Sequence, residues 1–253
     1  MAPLVLSLLK YERGDGPHAT ITPVKARHLH SWTLSPSEAA AVQRRLASQV
    51  DTRPIEAEPR FVAGLDISGV APDGLATAAA VVLTYPDLQT VERRVLRAEV
   101  SFPYVPGLLS FRETPVLAPL LESLTVRPDV LLVDGQGVAH PRRFGIACHL
   151  GLLFDVPAIG CAKSRLTGRF REPGRARGAH TDLKDGEEVI GAALRTRDGT
   201  RPIFVSVGHK VDLASALSIV LACAPKYRIP EPTRQAHLTA AGKIAPLAPG
   251  KWC

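Results

Sequence analysis

The 253-residue chain predicts an α/β protein with a mixed β-sheet flanked by helices, in one main domain. Three observations lead there. Phe61 to Ser68, Ala76 to Thr84 and Val91 to Phe102 are strand-like runs that follow one another with only short turns between them, the order of an antiparallel meander. Val130 to Val133 and Ala158 to Ala162 instead alternate with helical stretches, as strands joined by crossovers do. With 45% hydrophobic residues, a chain of this length can close one substantial core.

Each element has a local reason. Ser35-Pro36-Ser37-Glu38 reads as a capping box with proline in the first turn, and Ala39, Val42, Leu46 and Val50 share a face, so a helix is expected over about 36 to 50. The first strands are enriched in small and β-branched residues and are punctuated by Gly74 and by Pro86-Asp87. Helices are expected near 110 to 125 and 143 to 154. A further strand, Ile203 to Val207, leads to Asp212 as an N-cap, after which Leu213, Leu217, Val220 and Leu221 recur at helical spacing. A last short helix begins at Pro232. Residues 1 to 30 show little periodicity and are read as an irregular extension, 31 to 242 as the main domain, and 243 to 253 as a tail.

A formal net charge of +7 favours a polyanionic partner without requiring one. Cys148, Cys161, Cys223 and Cys253 are scattered, lack metal-ligand spacing and mostly sit in apolar runs, which suits a reduced, cytoplasmic protein. The apolar start, Met1 to Lys10, lacks a basic lead-in and a small-residue cleavage site, and no run reaches membrane-spanning length, so neither export signal nor anchor is expected. Between Ser164 and Gly186, the residues Arg165, Arg169, Arg171, Arg175, Arg177 and Lys184 stand among glycines. This stretch is read as a basic surface loop, either simply solvated or contacting phosphates.

The residues that carry chemistry cluster in pattern. Asp66 and Asp134 each end an apolar strand-like run, and two such strands side by side would bring the carboxylates together. Paired like charges are costly unless a cation separates them, and hard oxygen ligands suit magnesium. Asp134 is followed by Gly135-Gln136-Gly137, which leaves backbone amides free to meet a ligand. Tyr104 lies between Pro103 and Pro106, whose fixed φ angles stiffen the turn, so its ring is suited to wedge against stacked bases. Glu113 alone would be an ordinary helix-start carboxylate and His209 an ordinary histidine after a strand.

Together these motifs resemble the endonuclease V family, which cleaves nucleic acid beside deaminated adenine. The likeness runs from about Trp32 to Leu238 and includes Pro103 to Glu113, Leu131 to Arg143, His149-Leu150-Gly151, Ala162 to Leu166, Val189 to Ala192, Val205 to His209 and Tyr227 to Arg234. It implies a ribonuclease-H-like fold with a five-stranded mixed sheet. It also implies that Asp66 and Asp134 bind magnesium, with manganese as an alternative ion, that Glu113 and His209 complete the surroundings of the scissile phosphate, and that His140 and Lys163 support them. Tyr104 and Pro106 belong to the wedge. Gly107, Leu109, Gly135 and Ile146 would line a pocket for hypoxanthine turned out of the stack. The implied partner is DNA containing deaminated bases, cut at the second phosphodiester 3′ to deoxyinosine; separately, the protein is expected to be a monomer. Inosine-containing RNA is the alternative substrate, and a non-catalytic binder of altered nucleic acid is the reading from another class.

Overall fold

A computed structural model describes residues 25–248. The expected character of residues 1–24 and of Cys253 therefore lies outside the described residues. Helix α1 (Pro36–Ala47) opens on the expected capping box: Glu38 N–H donates to Ser35 Oγ at 3.4 Å and Ser35 N–H to Glu38 Oε2 at 2.7 Å. It stops short of Val50, and its buried face holds Gln43 between Ala39 and Leu46.

The sheet grows from β1 (Phe61–Ile67), β2 (Leu75–Thr84) and β3 (Thr90–Glu99), an antiparallel meander, and continues through β4 (Val130–Val133) and β5 (Ala158–Ala162), both running parallel to β1. Helices α2 (Leu109–Glu122) and α3 (Ile146–Phe154) provide the crossovers. The basic stretch departs from the expectation of one long loop. Its second half forms β6 (His180–Asp185), paired with β7 (Glu188–Leu194) across Gly186, which sits at φ +63°. Asp185 pairs with Glu188, so Gly186-Glu187 is a two-residue turn with glycine in its first place, at the positive φ such a hairpin uses. With β8 (Ile203–His209), the order is β3-β2-β1-β4-β5-β8-β7-β6: eight strands rather than the five the resemblance implies, with the six runs read as strands contiguous and the β7–β6 hairpin extending them. Past Gly242 the chain turns back onto the β3 edge, where Leu247 pairs with Arg93.

Alternation along β1 divides the core. Phe61, Ala63 and Leu65 face α2 and α3, whereas Val62 faces the layer of α4 (Leu213–Ala222) and α5 (Glu231–Ala240). Gly64 shares that second face, where a Cβ would lie 2.0 Å from the Pro232 carbonyl carbon and 2.5 Å from the Thr233 nitrogen. Only glycine lets α5 settle this close to the sheet. Asp66 is two residues further along the same face, and His237 one helical turn beyond Thr233, so this contact carries the histidine to the aspartate.

Candidate active site

Asp66 is the penultimate residue of β1 and Asp134 immediately follows β4. Because Leu65 pairs with Val133 in parallel register, the two carboxylates emerge side by side at the C-terminal ends of their strands. Glu113 reaches the same place from α2, one turn after Leu109. Asp66, Glu113, Asp134, Ile146, Lys163 and His237 line one cavity of about 290 Å³.

The electrostatics there are unbalanced. Burial, then the neighbouring charge of Asp134, raises the Asp66 pKa against the pull of His237. Burial, reinforced by Asp66 and Asp134, pushes Glu113 up to about 8. A histidine and a lysine stand against these carboxyls. His237 Nδ1 lies 3.0 Å from Asp66 Oδ2, and Lys163 Nζ pairs with Asp134 Oδ2. Lys163 is itself braced through its backbone, since Arg228 Nη2 donates to its carbonyl at 2.9 Å. Among the described residues, no three His, Cys, Asp or Glu side chains form a ready-made metal cage. Magnesium does not need one: it is held by one or two carboxylates together with waters and phosphate oxygens. Two adjacent strand-end carboxylates whose neighbours leave a surplus of negative charge fit that donor chemistry.

The remaining expected residues form a second group beside this cavity. Tyr104 is 74% exposed at the tip of its proline-flanked turn, and Pro106 is exposed with it. Gly107 adopts φ +78°, and its carbonyl accepts from His140 Nε2 at 2.9 Å. Burial drives His140 down to about 4, leaving it neutral near pH 7. Leu109 begins α2, and Gly135 packs so tightly on Ile146 that a Cβ would meet Ile146 Cγ2 at 2.5 Å.

His209 is the exception. It ends β8, which runs antiparallel to β5, and it pairs with Ala158 at the start of β5. It therefore sits at the opposite end of the parallel strands from Asp134. There its Nδ1 accepts from Asp51 N–H at 3.2 Å, its Nε2 lies 3.5 Å from Asp155 Oδ1, and burial lowers its pKa. The histidine at the carboxylates is His237. No spacing in the sequence announced it, because 171 positions separate it from Asp66 and only the seating of α5 on Gly64 joins them.

A family model described as Endonuclease V matches residues 44–238. The chain belongs to the endonuclease V family. It is accordingly a nuclease that hydrolyses phosphodiester bonds, and its mixed α/β sheet is the ribonuclease-H-like fold of that family. Endonuclease V of Roseiflexus castenholzii is 50% identical over 216 residues, which cover 85% of this chain and 96% of the relative. The crystal structure of Endonuclease V from Streptomyces avermitilis superposes with a TM-score of 0.80 at 43% identity, covering 87% of this chain and 97% of that one. Endonuclease V of Ciona intestinalis, solved in complex with a 24mer DNA containing an inosine followed by a ribo-adenosine, gives a TM-score of 0.70 at 29% identity over 82% of this chain and 96% of that one.

Proposed function

We propose that this endonuclease V acts in DNA repair as a magnesium-dependent enzyme that recognises deoxyinosine and hydrolyses the second phosphodiester bond on its 3′ side, leaving 3′-hydroxyl and 5′-phosphate ends. The observation that carries the reading is the meeting of Asp66, Asp134 and Glu113 in one small cavity with incompletely balanced charge. Asp66 and Asp134 are the residues to hold magnesium, which when bound polarises the phosphate and lowers the pKa of its water. Lys163 offers a cation to phosphate oxygens, and His237 stands where it can orient Asp66 and exchange a proton with water or a leaving oxygen. Tyr104 enters the gap left by the extruded base, and Gly107, Leu109, Gly135 and Ile146 surround that base. Hypoxanthine is guanine without the exocyclic amine, so a wall where that amine would project rejects the normal base. The cleavage position follows from family resemblance, and the cytoplasmic setting from scattered cysteines that lack metal-ligand spacing.

The second reading, cleavage of inosine-containing RNA, is favoured by the ribo-adenosine after the inosine in the Ciona complex. End-labelled DNA and RNA strands, each with one inosine and matched by adenine controls, separate the two when incubated with purified protein and magnesium. Cutting one bond beyond deoxyinosine, abolished by chelator, is expected. Cleavage confined to the RNA strand would replace the first reading by the second, and absence of inosine-dependent cutting would overturn both.

A further inference from the structure

Gln43 belongs to none of the motifs above, yet it is 1% exposed in the centre of α1 and every polar group it owns is used. Its Nε2 donates to the carbonyls of Gly107 at 3.0 Å and Phe144 at 2.9 Å, while its Oε1 accepts from Arg142 Nε at 2.5 Å. The amide orientation follows from these partners, since the flipped amide would turn oxygen toward two carbonyls and nitrogen toward a guanidinium. Arg142 continues the network by donating from Nη2 to the same Gly107 carbonyl at 2.7 Å. His140 adds the third donor. Its Nδ1 accepts from Arg142 N–H at 3.0 Å, so the Nε2 facing Gly107 carries the hydrogen.

One carbonyl oxygen thus receives three donors, one more than it has lone pairs, from α1 and from the segment after β4. Gly107 is also in the left-handed region, and a Cβ there would lie 2.8 Å from Arg142 Nη2. The turn is closed on its other side by Leu108 N–H donating to Val105 O at 2.9 Å. The clamped residue sits three positions after Tyr104 and two before the start of α2, which carries Glu113.

We propose that Gln43 is a positioning residue for base capture. With Arg142 it anchors the Gly107 carbonyl, holding the Pro103–Gly107 turn so that the Tyr104 ring projects and the backbone around Gly107 meets the extruded base already ordered. A turn ordered in advance spares the cost of ordering it on binding, so the effect falls on substrate capture rather than on the hydrolytic step. The proposal rests on the function proposed above, and its test is arranged to fail separately from it.

The test compares wild type with Gln43→Met, similar in size but without hydrogen bonds, and Arg142→Lys, which keeps the charge at a partly exposed site. Amide hydrogen exchange over residues 103–109 of the free protein is measured first. Exchange at least fivefold faster in both variants is expected, with thermal unfolding still above the assay temperature. Cleavage of a deoxyinosine strand should then show KM raised about tenfold and kcat within threefold of wild type, the lysine variant being the milder. If Gln43→Met does not fold, Arg142→Lys carries the same two measurements. Unchanged exchange, or kcat falling in step with kcat/KM while KM stays constant, would overturn the proposal. A wild-type protein indifferent to inosine would overturn the function instead, leaving the clamp to be judged by exchange alone.

Discussion

The two ends of the parallel strands handle charge in opposite ways. At the N-terminal end, acids and bases are matched. Asp155 receives Lys210 at 2.7 Å as well as Arg27, and these cations with His209 hold its pKa below the usual range although burial works the other way. Asp51 is likewise held down, chiefly by its hydrogen bonds from Arg53. The groove there is the larger, about 820 Å³, but its walls carry mixed charges, several already paired with one another. At the C-terminal end, three carboxyls share 290 Å³; burial and then Asp134 push Asp66 up, and burial and then Asp66 and Asp134 push Glu113 up. Paired charge serves structure, whereas charge left unbalanced by the fold marks where an ion or substrate completes it. Cavity size and charge imbalance thus point to opposite ends.

The largest test of this contrast is Asp66→Ala or Asp134→Ala. Either substitution should lower inosine-dependent nicking by about 10³-fold or more, since positioning and charge stabilisation by the metal depend on both. Stability measured by denaturant unfolding should not fall, because a source of repulsion is removed. Full activity in either variant would cancel the ligand assignment.

Glu113→Gln probes the imbalance directly through pH. Glu113 has a folded pKa of about 8, far above its unfolded value, so its protonated form contributes stability at low pH that is lost as pH rises toward 8. In metal-free buffer the glutamine variant should match wild type near pH 5 and exceed it at pH 8, on the order of 3 kcal/mol, with the neighbouring carboxyls titrating as a coupled set. Equal stability at both pH values would show that the carboxyl is not held protonated.

Exchanging the two histidines separates the ends. His237→Ala should reduce cleavage by about 10²-fold with little loss of stability, the scale of one acid–base or orienting group. His209→Ala should leave kcat nearly unchanged and cost about 1–3 kcal/mol of stability, as removal of a buried, hydrogen-bonded side chain does. Reversed outcomes would return the active-site role to His209. Smallest is Tyr104→Ala, expected to narrow discrimination of inosine from adenine about tenfold, near 1.4 kcal/mol, while leaving thermal stability and metal dependence alone because the ring is exposed. Unchanged discrimination would remove the wedge.

Much of this was legible in the chain. The capping box at Ser35, the meander of β1 to β3 and the strand ends at Asp66 and Asp134 are set by local signals: side-chain hydrogen bonding at the helix start, β-branched runs and breaker residues. The motif from Pro103 to Arg143 by itself carries the family resemblance. The β6–β7 hairpin was hidden because the arginines and glycines just before it suggested one long loop, although Gly186 stood between its two strands as a turn signal. What only tertiary structure decided is which distant groups share a place. His209 follows a strand just as a site residue does, and only the antiparallel direction of β8 sends it to the far end. His237 joins Asp66 because Gly64 has no side chain to keep α5 away, and Gln43 reaches Gly107 from a helix whose buried face reads as ordinary core. Local sequence determines secondary structure and residue type through short-range sterics and hydrogen bonds. The direction of a strand in its sheet and the distance between a helix and that sheet depend on contacts between residues far apart in the chain, and those belong to the folded molecule.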